Sequence, residues 1–153
     1  MKKIILPVLC SMLVLATGCK KDDNKPTTES SGAILKTFYL KVDGVAFTGT
    51  SSSWQHTSGM ILYSSYDGTQ NFSLSMGDTI LPGTYPMGYG QPARLVHTDD
   101  NYATSYISDP GTFTVVSHDT VNDRISGTFS CTLTRTSPAN TKAVTNGEFN
   151  IQY

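Results

Sequence analysis

Histidine is the residue to test first for chemistry, and the chain has three: His56, His97 and His118. A zinc or general-base site needs two or three such side chains converging with a carboxylate. Each histidine here lies far from the others in a polar stretch. The expectation is exposed or loop histidines and no metal site. The densest oxygen cluster is His97-Thr98-Asp99-Asp100-Asn101-Tyr102. Asp99, Asp100 and Asn101 are hard ligands of the kind calcium takes, but EF-hand spacing is absent. The same residue types cap hairpin turns, so a turn is the reading adopted. No G-x-S-x-G elbow surrounds any serine. The acidic residues sit mainly at turns, without the facing pair that glycoside hydrolysis requires. The pattern predicts no catalytic residue, no enzyme and no cofactor.

Binding is easier to argue. Trp54 stands in SSSWQH, and Tyr85 and Tyr89 stand in LPGTYPMGYGQP, Leu81 to Pro92. Glycines and prolines stiffen that second stretch as a loop. Rigid aromatic area on a loop is a common binding device, and it suits the face of a sugar ring. Trp54, Tyr85 and Tyr89 are therefore the candidate ligand-binding residues, with a glycan as ligand. The alternative is that Tyr85 packs at a strand end and Tyr89 covers a sheet edge.

The elements that would hold these residues are strands. From Ile34 onward apolar residues recur with period two, the mark of a half-buried strand. Phe38, Leu40 and Val42 alternate with Tyr39 and Lys41, and Asp43-Gly44 then forms a two-residue turn before Val45 and Phe47. Asp-Gly between alternating runs signals a type I′ hairpin. Phe72, Leu74 and Met76 share a face, as do Ile125, Phe129, Cys131 and Leu133, and then Phe149, Ile151 and Tyr153. Met60–Ser65, Arg94–Thr98, Tyr102–Ile107 and Thr112–His118 fit shorter strands. Cys131 faces inward and reads as a small core residue. No amphipathic helix is evident after the N-terminal segment. The fold class expected is all-β, as an antiparallel β-sandwich, with a closed up-and-down, lipocalin-like barrel as the alternative. Net charge is −1, with no basic patch, so nucleic acid is not an expected partner.

The N-terminus carries the sharpest signal. Lys2 and Lys3 precede an apolar run, Ile4 to Ala16, which is too short to span a bilayer and has the form of an export signal. Leu15-Ala16-Thr17-Gly18-Cys19 resembles the lipobox of bacterial lipoproteins. The resemblance implies that the Cys19 thiol is lipidated as a diacylglyceryl cysteine, with palmitate among its acyl chains, and that Cys19 becomes the new N-terminus. Ala16 departs from the large aliphatic residue usual three places before the cysteine. Lys21, Asp22 and Asp23 resemble the signal that sends Bacteroidota lipoproteins to the outer face of the outer membrane. Residues 1–18 then form the signal peptide, 19–32 the lipidated cysteine and a flexible polar tether, and 33–153 a single all-β domain. Cys10 departs with the signal, so Cys131 has no disulfide partner.

The domain itself is similar to small Bacteroidota lipoproteins known only as domains of unknown function. VDGVAF (Val42 to Phe47), LPGTYPM (Leu81 to Met87), ISGTFSCTL (Ile125 to Leu133) and VTNGEFNI (Val144 to Ile151) carry that similarity. It implies a lipid-anchored protein of the outer membrane, facing the cell exterior. Its partners would be the membrane, through the N-terminal lipid, and a glycan or an envelope protein. The alternative to ligand binding is a structural or protein-interaction module of the cell envelope. Asp78-Thr79-Ile80 and Asp119-Thr120-Val121 also resemble the O-glycosylation sequon of exported Bacteroidota proteins.

Overall fold

The computed structural model describes residues 37–99 and 104–153. Cys19, Lys21, Asp22, Asp23 and Asp100 lie outside the described residues, with the signal and tether. The elements are β1 (Thr37–Val42), β2 (Val45–Phe47), β3 (Ser51–Thr57), β4 (Met60–Tyr66) and β5 (Gln70–Gly77). They continue as β6 (Gly83–Met87), β7 (Ala93–Asp99), β8 (Ser105–Asp119), β9 (Arg124–Thr136) and β10 (Ala139–Gln152). The described residues are all-β. Hydrogen bonding joins them in one sheet, in the order β2-β1-β10-β9-β8-β6-β7-β5-β4-β3. Every pairing is antiparallel except a single parallel contact between β6 and β7, at Met87 and Ala93.

Local chemistry explains the elements. Asp43 and Gly44 both take positive φ, 50° and 82°, as the I′ turn joining β1 to β2 requires. The Asp43 carboxylate accepts the Ala143 amide at 2.8 Å, tying that turn to β10. In β9 the inward positions are Ile125, Gly127, Phe129, Cys131 and Leu133, all buried, in strict alternation with the others. Two ring contacts join residues from opposite ends of the sheet. Phe38 of β1 meets Tyr63 of β4 at 5.2 Å between centroids, and Phe47 of β2 meets Phe72 of β5 at 4.6 Å. The sheet is thus curled into a half-barrel whose facing halves enclose the core, as the two layers of a sandwich do. No ladder joins β2 to β3 among the described residues, so the curl does not close into the barrel of the alternative reading.

Glycines let the long strands approach. Gly127 lies directly opposite Phe149, and Gly147 opposite Phe129. Each glycine leaves room for the facing ring, and Phe113 stacks on Phe149 at 5.0 Å with the planes 6° apart.

Three elements differ from the sequence reading. Ser51–Thr57 forms edge strand β3, exposed throughout and so without alternation to reveal it. Gly83–Met87, expected in a loop, is strand β6. It pairs with β8 despite Pro86, because register there depends on β8 rather than on an apolar pattern. Tyr102–Ile107 and Thr112–His118 were expected as separate strands. Their described parts belong to one strand of 15 residues, β8, whose register slips between Ser108 and Gly111.

Candidate functional site

The outward face of β8, β9 and β10 carries three adjoining shallow depressions. One of about 400 Å³ lies at the Thr112–Ser130–Thr132 end. A second, about 240 Å³, shares Thr112 and Ser130 with it. The third, about 330 Å³, shares Thr128 and Glu148 with the second and runs on to Ser126 and Asn150. Together they make a groove across the sheet.

Register aligns the residues that line it with their neighbours on the adjoining strands. Thr84, Thr114, Thr128, Glu148 and Tyr39 lie in one row across β6, β8, β9, β10 and β1. The next row sets Pro86, Thr112 and Ser130 side by side. Adjacent strands are about 4.8 Å apart, close enough for side chains at neighbouring positions to turn toward one another. Thr84 and Thr114 hydroxyls are bonded to each other at 3.1 Å. A bulge in β10 between Val144 and Gly147 brings Asn146, with φ of 53°, to the groove wall. Re-aiming one side chain is what a bulge does. Glu148 is the one charged residue lining the three depressions. The groove can donate and accept many neutral hydrogen bonds. It has no nucleophile held by a base.

The family model for a domain of unknown function, DUF6252, matches residues 36–151, which takes in every strand of this groove. The chain belongs to the DUF6252 family. No curated protein and no solved structure matches it.

The aromatic trio lies elsewhere on the DUF6252 domain, and none of the three lines the groove. Trp54 sits on β3 opposite Tyr63 and is 44% exposed. Tyr85 is a residue of β6, packed against the core, and its hydroxyl donates to the Leu81 carbonyl at 2.8 Å. It packs against the core from the middle of β6, not from a strand end. Tyr89, between β6 and β7, is 78% exposed. Tyr39 and Asn146 escaped the sequence reading. Alternation had already put Tyr39 on the water face, where a large ring stands out. Asn146-Gly147 carries a turn signal, spent here on a bulge.

The histidines depart from expectation. His97 is buried at 2% exposure in β7 of the DUF6252 domain, not in a loop. Its ring stacks on Phe72 at 4.5 Å, and Nε2 donates to the Gln70 side-chain oxygen at 3.1 Å. Burial, then the nearby Lys142 charge, lowers its pKa to about 4. His118 donates from Nδ1 to the Ile80 carbonyl at 2.7 Å, which leaves Nε2 to accept the Tyr153 hydroxyl at 2.8 Å. His56 also meets the Tyr153 ring, at 5.2 Å, and donates to Asp78 at 3.0 Å. Residues distant in sequence therefore converge at one end of the half-barrel. No group of three metal-ligating side chains forms among the described residues.

Cys131 is buried and its thiol is pushed up to about 12 by desolvation, which suits packing and not nucleophilic attack. Asp99 accepts from the Thr104 amide at 3.2 Å and from the Thr104 hydroxyl, while Asp100 lies outside the described residues. Thr79 and Thr120 are both exposed on turns.

Proposed function

We infer that this chain is a lipid-anchored outer-membrane surface lipoprotein whose DUF6252 domain is non-catalytic and binds a glycan along the β8–β9–β10 groove. The carrying observation is the groove lining, in which the hydroxyls of Thr112, Thr114, Thr128 and Ser130 and the amides of Asn146 and Asn150 are interspersed with apolar surface, and Glu148 is the single charge. Neutral hydrogen-bonding groups interspersed with apolar surface suit the polar edges and apolar faces of a sugar better than a charged ligand. Tyr39 of β1, opposite Glu148 in the same row, lies beside the lining and offers an aromatic ring to a sugar that extends past it. The anchor rests on Cys19 and the outer-face address on Lys21, Asp22 and Asp23.

Two experiments test this. In the groove, Thr128→Trp fills the depressions and should weaken binding of neutral oligosaccharides on a glycan array by roughly tenfold or more. Trp54→Ala and Tyr89→Ala should leave it intact. The opposite pattern would move the site to the aromatic residues. For location, Cys19→Ala should shift the protein from the membrane fraction to the soluble fraction. Asp22→Ala with Asp23→Ala should keep it membrane-bound but protect it from protease added outside the cell. A double variant still cut from outside would overturn the outer-face reading.

The protein-interaction alternative draws on β3, which ends the sheet among the described residues. Such an edge can take a strand from a partner envelope protein. In that case Thr128→Trp leaves partner capture unchanged.

A further inference from the structure

The inward face has a cationic end. Tyr106 of β8 is 5% exposed. The Arg135 guanidinium carbon, from β9, lies 5.0 Å from its ring centroid, and the Lys142 ammonium, from β10, lies 4.9 Å from the same point. Each cation is attracted to the ring. Two like charges held on one buried ring also repel each other, and the low local dielectric strengthens that repulsion. A neighbouring carboxylate would offset it. Neither cation has one within 4.0 Å among the described residues, where the single ion pair is His56–Asp78.

The carboxylates that face this end are engaged in their own loops. Asp67 accepts from the Thr69 amide, the Thr69 hydroxyl and the Gln70 amide, and Asp99 accepts from Thr104. Arg135 gives Nε to the Pro138 carbonyl at 2.9 Å, which leaves its terminal amino groups pointing on. The Tyr106 hydroxyl accepts the Asn140 amide at 3.2 Å, so its own proton is available to donate. Among the described residues, the two charged groups left over at this end, the Arg135 guanidinium and the Lys142 ammonium, are donors. A guanidinium fork beside an ammonium is the chemistry that recognises carboxylate, phosphate and sulfate.

We propose that Arg135, Lys142 and Tyr106 form a binding subsite for an oxyanion group at this end of the half-barrel. The ligand carries a carboxylate, a phosphate or a sulfate. The subsite lies on the inward face, whereas the hydroxyl-lined groove lies on the outward one, so either can fail without the other.

The test is side-chain and backbone NMR of the full chain, titrated at constant ionic strength with inorganic phosphate, with inorganic sulfate, with a uronic-acid disaccharide and with its neutral counterpart. The expected result is saturable shifts at Tyr106, Arg135 and Lys142 with at least one of the three anions and none with the neutral sugar. The tightest-binding anion identifies the source. Arg135→Gln and Lys142→Gln should each weaken that binding by about tenfold, as the loss of one charge-assisted hydrogen bond does. Lys142→Arg should retain it. Shifts that never saturate, shifts equal with the neutral sugar, or unchanged affinity in a folded double variant would overturn the proposal. If the double variant does not fold, the Arg135 Nε signal of the unmodified chain decides: saturable movement supports the subsite, and no movement refutes it.

Discussion

Gly127→Ala is expected to cost about 3 kcal/mol or more, the upper end of what overpacking a core costs. A Cβ built at Gly127 falls 2.0 Å from the Thr114 carbonyl oxygen and 2.7 Å from the Phe149 ring. The first contact is with backbone, which cannot turn aside as a flexible side chain would. The second pushes Phe149 against Phe113, on which it is stacked. Relief therefore requires β8 and β9 to part where both are most deeply buried. Chemical denaturation should show the loss as a lower midpoint. Thr128→Ala, one residue on and facing outward, should stay within about 0.5 kcal/mol of the parent. A Gly127→Ala protein as stable as that control would refute the packing described.

Acidification from pH 6.5 to pH 4 is expected to remove about 3 kcal/mol of stability through His97 alone. Its pKa is lowered from 6.5 in the unfolded chain to about 4 in the fold, and each unit is worth about 1.36 kcal/mol. The sign follows from proton counting. Between those values the unfolded chain binds a proton and the folded one does not, so stability rises with pH there and falls on acidification. Above pH 6.5 both states are neutral at this residue and the effect vanishes. The cause is first the burial of the ring and then the Lys142 charge, opposed by Asp99 and Asp67. His97→Phe keeps a ring against Phe72 and removes the titration. Its stability should be nearly flat across this window, and a slope equal to the parent's would refute the assignment.

The sequence disclosed what alternation can disclose. β1, β9 and the end of β10 bury one face and leave the other more open, β5 sets its apolar face beside partly covered polar positions, and the inward residues of all four were readable from spacing. β3 and β6 were not. An edge strand with both faces exposed has no burial to imprint a pattern, and β6 takes its place from the neighbour it pairs with. The groove was hidden for a related reason. Thr112, Thr114, Thr128 and Ser130 look like ordinary water-facing positions until register lines them up across strands. The same holds at the two ends of the half-barrel. Nothing in the spacing of His56, His118 and Tyr153 announces that they meet. Nothing in that of Tyr106, Arg135 and Lys142 does either, because three different strands supply them. His97 was misjudged because its polar neighbours in sequence are not its neighbours in space.

The tie between Asp43 and Ala143 joins residues 100 positions apart. It belongs to a ladder in which the first described strand pairs with the last, Thr37 opposite Asn150. This sets an order of events. The β3–β4–β5 meander can assemble from near neighbours, and β8, β9 and β10 can follow as successive hairpins. The β1–β2 hairpin has no partner until β10 exists. Closing so long a loop before its contacts repay it is slow, which places this domain among the millisecond-to-second folders. During synthesis the β1–β2 hairpin, made first, thus waits for β10, while the sheet between them can form strand by strand.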